Sequence, residues 1–408
     1  MGRRVAPACA SANNQSAETG PPIPSVGPVT RFQQNARTGY ASQQLAGWLF
    51  AAALTYPSLS ALHPTLSQGK LLGGLMIMTV GTAFRQHSTR VDPGVGSRQS
   101  TAGFLLMLGS ATVYIWASFD PQSQPAQNKL ASWLGVVGLM LAFQLLREIE
   151  WRAVAGALVI VELVVLVNYF TAVQHGGVNA IWVGRVVMLA GLFAFLAPQR
   201  GFTRWIVLFL HLAVLLEIGK QGPLIGFLAG VLVYAAFAPS IPRRLFLGIA
   251  FLALSAAIFL TRLYGVLSSE IDDQGTASAR VELWRFALSS WNGERLFGNG
   301  FGSFYVTNGF HLFPYPHNVF LEALAELGII GLALLAACAY FGLRRAQNPR
   351  VVAVFATALV AAQVSGSIPG NHEMWLIIAT CGLLRDRAKH GVPRLSAVPR
   401  RRLQKNRL

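Results

Sequence analysis

The stretch AVAGALVIVELVVLVNYFTAV, residues 153–173, decides the fold. It runs for 21 residues with one charge, Glu162. A span of the bilayer core needs roughly 20 apolar residues. Backbone groups in hydrocarbon must be paired within their own segment, so the run is expected to be a transmembrane helix. Working outward, similar apolar segments fall at 43–62, 68–84, 101–119, 130–146, 180–197, 203–219, 222–238, 243–262, 318–342, 351–367 and 371–384. The expected fold is therefore all-α. It is a polytopic integral membrane protein of about twelve transmembrane helices, with a large external loop (263–317) between helices 9 and 10.

Composition agrees. The 408 residues are 53% hydrophobic and only 12% charged, against about 25% charged in an ordinary soluble domain. Mean hydropathy is +0.47. The net charge of +17 does not point to nucleic acid, because the basic residues sit between apolar runs and in the tails. The three cysteines, Cys9, Cys338 and Cys381, form no C-x-x-C pair and suggest neither a disulfide framework nor a metal site.

Lys and Arg set the orientation. With the N-terminus inside, 25 of the 33 basic residues fall in the tails and cytoplasmic loops. Seven fall outside, and Arg185 lies within a span. Both termini are then cytoplasmic. Residues 1–42 are polar, lack a signal-peptide core and read as a disordered tail. Residues 43–384 form the membrane domain, and 385–408 a basic tail.

The external loop carries the chemistry. Within 277–291, Arg280, Trp284, Ala287 and Trp291 share one face of an amphipathic helix. That helix is expected to lie along the membrane surface, its tryptophans at the headgroups. Leu-Phe-Gly-Asn-Gly-Phe-Gly (296–302) implies a tight turn or a close backbone approach. Pro316-His317-Asn318 then opens the tenth span, with Asn318 a suitable helix cap.

These three motifs in this order resemble the O-antigen ligase and polymerase superfamily. The match rests on Arg280-x-x-x-Trp284, the Gly298-x-Gly300 turn and His317-Asn318-x-x-Leu321-Glu322. The family's mid-chain Ser-Arg-Gly motif is replaced by Gly219-Lys220-Gln221-Gly222. A lysine keeps the charge but loses the bidentate fork of arginine. The resemblance implies transfer of a glycan from an undecaprenyl diphosphate carrier to an acceptor hydroxyl, at the periplasmic face of the bacterial inner membrane. It implies His317 as general base and Lys220, Arg280 and Arg285 as cations for the leaving diphosphate, with no metal and no cofactor. The acceptor is lipid A-core, a growing polysaccharide or a protein. The short stretch after the last span is expected to disfavour the protein. A twelve-span transporter or flippase for a lipid-linked or small anionic substrate is the alternative. The short loop after span six and the late external loop argue against it.

Plainer readings stand beside these. Lys220 could pair with Glu217, and Arg285 could simply meet lipid headgroups. The loop glycines are expected to be structural. Arg185 is expected to pair with Glu162, locking two spans. Glu322 and Glu326, at i and i+4, are expected to point into the bundle and orient the loop or hold a cation. His372 and Glu373 read as residues of a short external turn with no special role.

Overall fold

The computed structural model describes residues 28–62, 67–87, 95–171, 179–197, 202–237, 276–304, 315–346, 348–364 and 366–385. They are almost entirely helical. In chain order the helices are α1 (Pro28–Ala61), α2 (Gln68–His87), α3 (Val95–Ser118), α4 (Gln124–Gln144), α5 (Trp151–Thr171), α6 (Ala180–Leu196), α7 (Thr203–Ile218) and α8 (Gln221–Phe237). After them come α9 (Thr276–Gly293), α10 (Val319–Leu343), α11 (Pro349–Ala362) and α12 (His372–Thr380). Two-residue strands, Ile149–Glu150 and Leu384–Arg385, pair in parallel.

Each described helix other than α9 falls on one of the apolar segments, while segment 243–262 lies outside the described residues. Among the described residues, three helices are long and apolar enough to cross a membrane: Thr101–Ser118 within α3, α5 and α10. Helices α6, α8 and α11 are apolar but shorter. Two expectations change. Helix α1 starts at Pro28, inside the stretch expected to be unstructured. Helix α12 has nine residues, all buried. At 1.5 Å per residue it rises about 14 Å, half a bilayer core. A short helix enclosed on all sides is apolar for the same reason a span is, and hydropathy alone does not separate the two.

Small residues let the helices approach. Gly226 and Gly230 of α8 lie against α11, where a Cβ on Gly226 would sit 2.9 Å from the Thr357 carbonyl. This is the small-xxx-small packing used where lipid removes the hydrophobic drive between helices. Aromatic rings fill the centre, with Trp133 and Trp375 edge to face at 5.5 Å.

Buried charges tie the bundle at two ends. At one end Arg185 of α6 donates to Glu373 (2.8 Å), to Asn371 Oδ1 (2.7 Å) and to the Gly370 carbonyl (3.2 Å). The expected Arg185–Glu162 pair is thus replaced, and Glu373 is a buried counter-charge rather than a turn residue. Glu162 instead meets His211 of α7 at 3.1 Å. Both partners of Arg185 and Glu162 lie on segments distant in sequence, which helical periodicity does not reach. At the opposite end Arg345 donates to Gln144 Oε1 (2.6 Å) and to the Ile378 carbonyl (3.0 Å) at the C-terminus of α12.

Candidate functional site

The start of α10 is built by three segments. Asn318 is the N-cap, with an extended backbone, and its Oδ1 accepts from the amides of Phe320 (3.0 Å) and Leu321 (3.1 Å). The residue before it, His317, has φ 56° and is the non-glycine residue with positive φ among those described. A left-handed conformation at such a residue costs on the order of 1–3 kcal/mol and persists only when the surroundings hold it. Here α9 supplies a hold: Trp284 Nε1 donates to the Pro316 carbonyl at 2.9 Å. Helix α9 is itself seated by Leu283 and Ala287 packing on Phe304 and on Ala325 of α10.

Helix α10 is not continuous. Gly328 has φ 64° and ψ −168°, which breaks the hydrogen-bond ladder. The glycine turn repairs it. Asn299 and Gly300 donate to the carbonyls of Ala325 (3.0 Å) and Glu326 (2.9 Å), while Ile329 and Ile330 donate back to Arg295 (3.0 Å) and Leu296 (3.2 Å). The Tyr114 hydroxyl of α3 bridges the carbonyls of Phe297 (3.0 Å) and Leu327 (2.9 Å). Freed backbone groups at membrane depth are therefore satisfied by protein. Gly300 has φ 98°, and a Cβ there would lie 2.7 Å from the Ser118 carbonyl. The loop glycines serve this close approach.

Beneath the turn lies a charge cluster. Lys129 of α4 contacts both Glu322 and Glu326, the latter at 2.6 Å. Glu326 also accepts from the Gly302 amide at 3.0 Å, and Glu322 from the Ile368 amide at 2.8 Å. The two acids hold a cation, and it is a lysine of the protein. In the sequence Lys129 stands just before an apolar segment with nothing local to mark it; the signal for it is two buried acids one turn apart, which demand a counter-charge.

Of the sequence-derived site residues, Arg280 and His317 come together. Arg280 is half-buried on α9, one turn before Trp284. His317 is held down to about 4 from the usual imidazole value, first by burial and then by the charges of Arg280 and Arg185. The influence of Arg185, on α6, is not foreseen from the sequence. Tyr315 stacks edge-on to His317 at 4.8 Å, and burial raises its hydroxyl above the usual range. Arg285 is exposed on the outer face of α9. Lys220 is exposed and follows Gly219, the left-handed cap of α7. Three residues after Lys220, Pro223 packs under Gly184, the neighbour of Arg185.

Residues 206–336 match the family described as O-Antigen ligase. That stretch is what the chain has in common with the O-antigen ligase family. The matched region runs from α7 to within α10 and contains Lys220, Arg280, Arg285 and His317. The chain is also similar to a curated O-antigen ligase of Pseudomonas aeruginosa, 26% identical over 296 residues, covering 69% of this chain and 70% of the relative. The O-antigen ligase likeness and the apolar helices together make this an integral membrane protein with a glycosyltransferase-type role in lipopolysaccharide biosynthesis.

Proposed function

We propose that the protein transfers a glycan from an undecaprenyl diphosphate carrier to an acceptor hydroxyl on the periplasmic face of the bacterial inner membrane, as a ligase with lipid A-core as acceptor. Ligation is preferred to polymerisation because the matching family and the curated relative are both described as O-antigen ligases. One observation carries the mechanism: a neutral imidazole, His317, is presented in a strained backbone at a helix start beside Arg280.

In the reaction the acceptor oxygen attacks the anomeric carbon of the donor sugar. Its proton passes to His317, and the bond from that carbon to the diphosphate oxygen breaks. The leaving diphosphate takes the electron pair. Fixed cations that meet this charge as it develops lower the barrier. Arg280 and Lys220 fill that role, with Arg285 at the membrane surface to receive the donor. The lipid diphosphate is already a good leaving group, so the step needs neither metal nor cofactor. Bound diphosphate also neutralises the cations that depress His317. Its basicity therefore rises when the donor is present.

The membrane arrangement belongs to the same proposal. Both termini in the cytoplasm and the 263–317 loop outside are supported by the 25-to-7 division of basic residues.

The test is His317→Ala in a purified, membrane-reconstituted protein. A positioned base contributes about 10²–10⁴-fold, so ligated glycan should vanish from gels while protein level and insertion stay normal. Near-normal turnover would remove His317 from the mechanism. Lys220→Ala should lower transfer strongly and Lys220→Arg should retain it. Wild-type behaviour of Lys220→Ala would remove Lys220 from the clamp.

A further inference from the structure

The left-handed backbone at His317 has to be held by something, and the hydrogen bond from Trp284 is placed to do it. Trp284 Nε1 donates to the carbonyl of Pro316, the peptide that fixes φ of His317. Pro316 is buried, and Asn318 is committed to capping α10. The peptide unit before His317 is thus gripped from α9 and the one after it from α10. Trp291, the other tryptophan of α9, contrasts with it. Its Nε1 donates to the Arg295 carbonyl at 3.2 Å, just past the end of its own helix. An interfacial tryptophan serves as an anchor with its N–H in the headgroup layer. Trp284 instead spends its N–H on a backbone carbonyl 32 residues away, next to the reacting group.

We propose that Trp284 is a positioning residue for the transfer reaction: its indole N–H, through the Pro316 carbonyl, holds His317 in the left-handed conformation that aims the imidazole at the acceptor hydroxyl. The inference rests on His317 being the base. It also explains why Arg280 and Trp284 share a helix face. One turn of α9 delivers a cation to the leaving group and a hydrogen bond to the base, so both move as one body with the helix.

The full-length protein is reconstituted with an undecaprenyl diphosphate-linked glycan and lipid A-core, and rates are normalised to inserted protein. Trp284→Phe removes the donor and keeps an aromatic ring. A small misplacement of a reacting group costs up to about 100-fold, so kcat should fall by about 10–100-fold with KM for the donor unchanged. Trp284→Tyr, which offers a hydroxyl donor, should fall between Phe and wild type. Trp291→Phe should keep the wild-type kcat. Adding Trp284→Phe to His317→Ala should cost nothing further, because the two changes act on one group. Carbethoxylation of the His317 peptide, followed by mass spectrometry, should be faster in Trp284→Phe as the ring leaves its seat. The inference is overturned if Trp284→Phe keeps the wild-type kcat while His317→Ala is inactive, or if Trp284→Phe slows the His317→Ala background by the same factor as the wild type. An active His317→Ala overturns the assignment of the base itself, and this inference with it.

Discussion

His317 feels the charge of two arginines, yet as the proposed base it has to accept a proton, and the charges around it would change during turnover. In the free protein burial, Arg280 and Arg185 hold the imidazole down to about 4. It is therefore neutral across the periplasmic pH range, and protonation removes the base only in acid. The profile of kcat/KM reports groups of the free enzyme and that of kcat reports groups of the bound complex. The expected kcat/KM profile is flat from neutral pH downwards and falls below about 4, where His317 becomes protonated. Bound diphosphate brings negative charge beside the same two arginines, which favours the protonated ring. The acid limb of kcat should therefore lie at higher pH than that of kcat/KM. Measuring both profiles in reconstituted vesicles decides this. Coincident limbs would mean that the donor diphosphate does not approach His317.

Helix α9, the glycine turn and the broken helix α10 act as one element, and Lys129 clamps them to α4. Breaking a buried ion pair by removing one partner costs about 3–5 kcal/mol, since the other charge is left uncompensated. Lys129→Met leaves two acids, Glu322 and Glu326, without their shared cation. Its unfolding temperature in detergent should drop by several degrees, and Lys129→Arg should recover much of the loss. An unchanged melt for Lys129→Met would show that the cluster contributes little to holding the turn. Much of this element was legible in the sequence. Arg280, Trp284 and Ala287 were placed on one helix face by their spacing, Asn318 is the cap its side chain suggested, and the loop glycines make the close approach expected of them. The direction of Trp284 was not legible, because an interfacial tryptophan and one that donates to a distant carbonyl have the same local pattern. Nor were the ion pairs: Lys129 lies 197 residues from Glu326, and Arg185 lies 188 from Glu373. A buried charge announces in sequence that it needs a partner, but not which one.

Across the whole molecule the polar devices separate into two ends. The starts of α4, α6, α8, α10 and α12 gather at the end that holds His317. They are linked through Lys129 to Glu322, Glu322 to Ile368, Arg185 to Asn371 and Gly184 to Pro223. The finishes of α4, α10 and α12 meet at the other end around Arg345 and the short parallel strands. If the apolar segments alternate in direction from a cytoplasmic N-terminus, the even-numbered ones all begin on the outside, and the site faces the periplasm. Helix N-termini carry partial positive charge, so this end suits a diphosphate. The prediction concerns Gly293, at the exposed end of α9, where a Cβ meets open space. Gly293→Cys is made in a chain with Cys9→Ser, leaving Cys338 and Cys381, both buried. A membrane-impermeant maleimide should label this cysteine in spheroplasts with an intact inner membrane, and a cysteine appended to the C-terminal tail should react only after lysis. The reverse pattern would put the site on the cytoplasmic side. There the positive-inside count would have to fail by its whole 25-to-7 margin, and a periplasmic acceptor could not be the substrate.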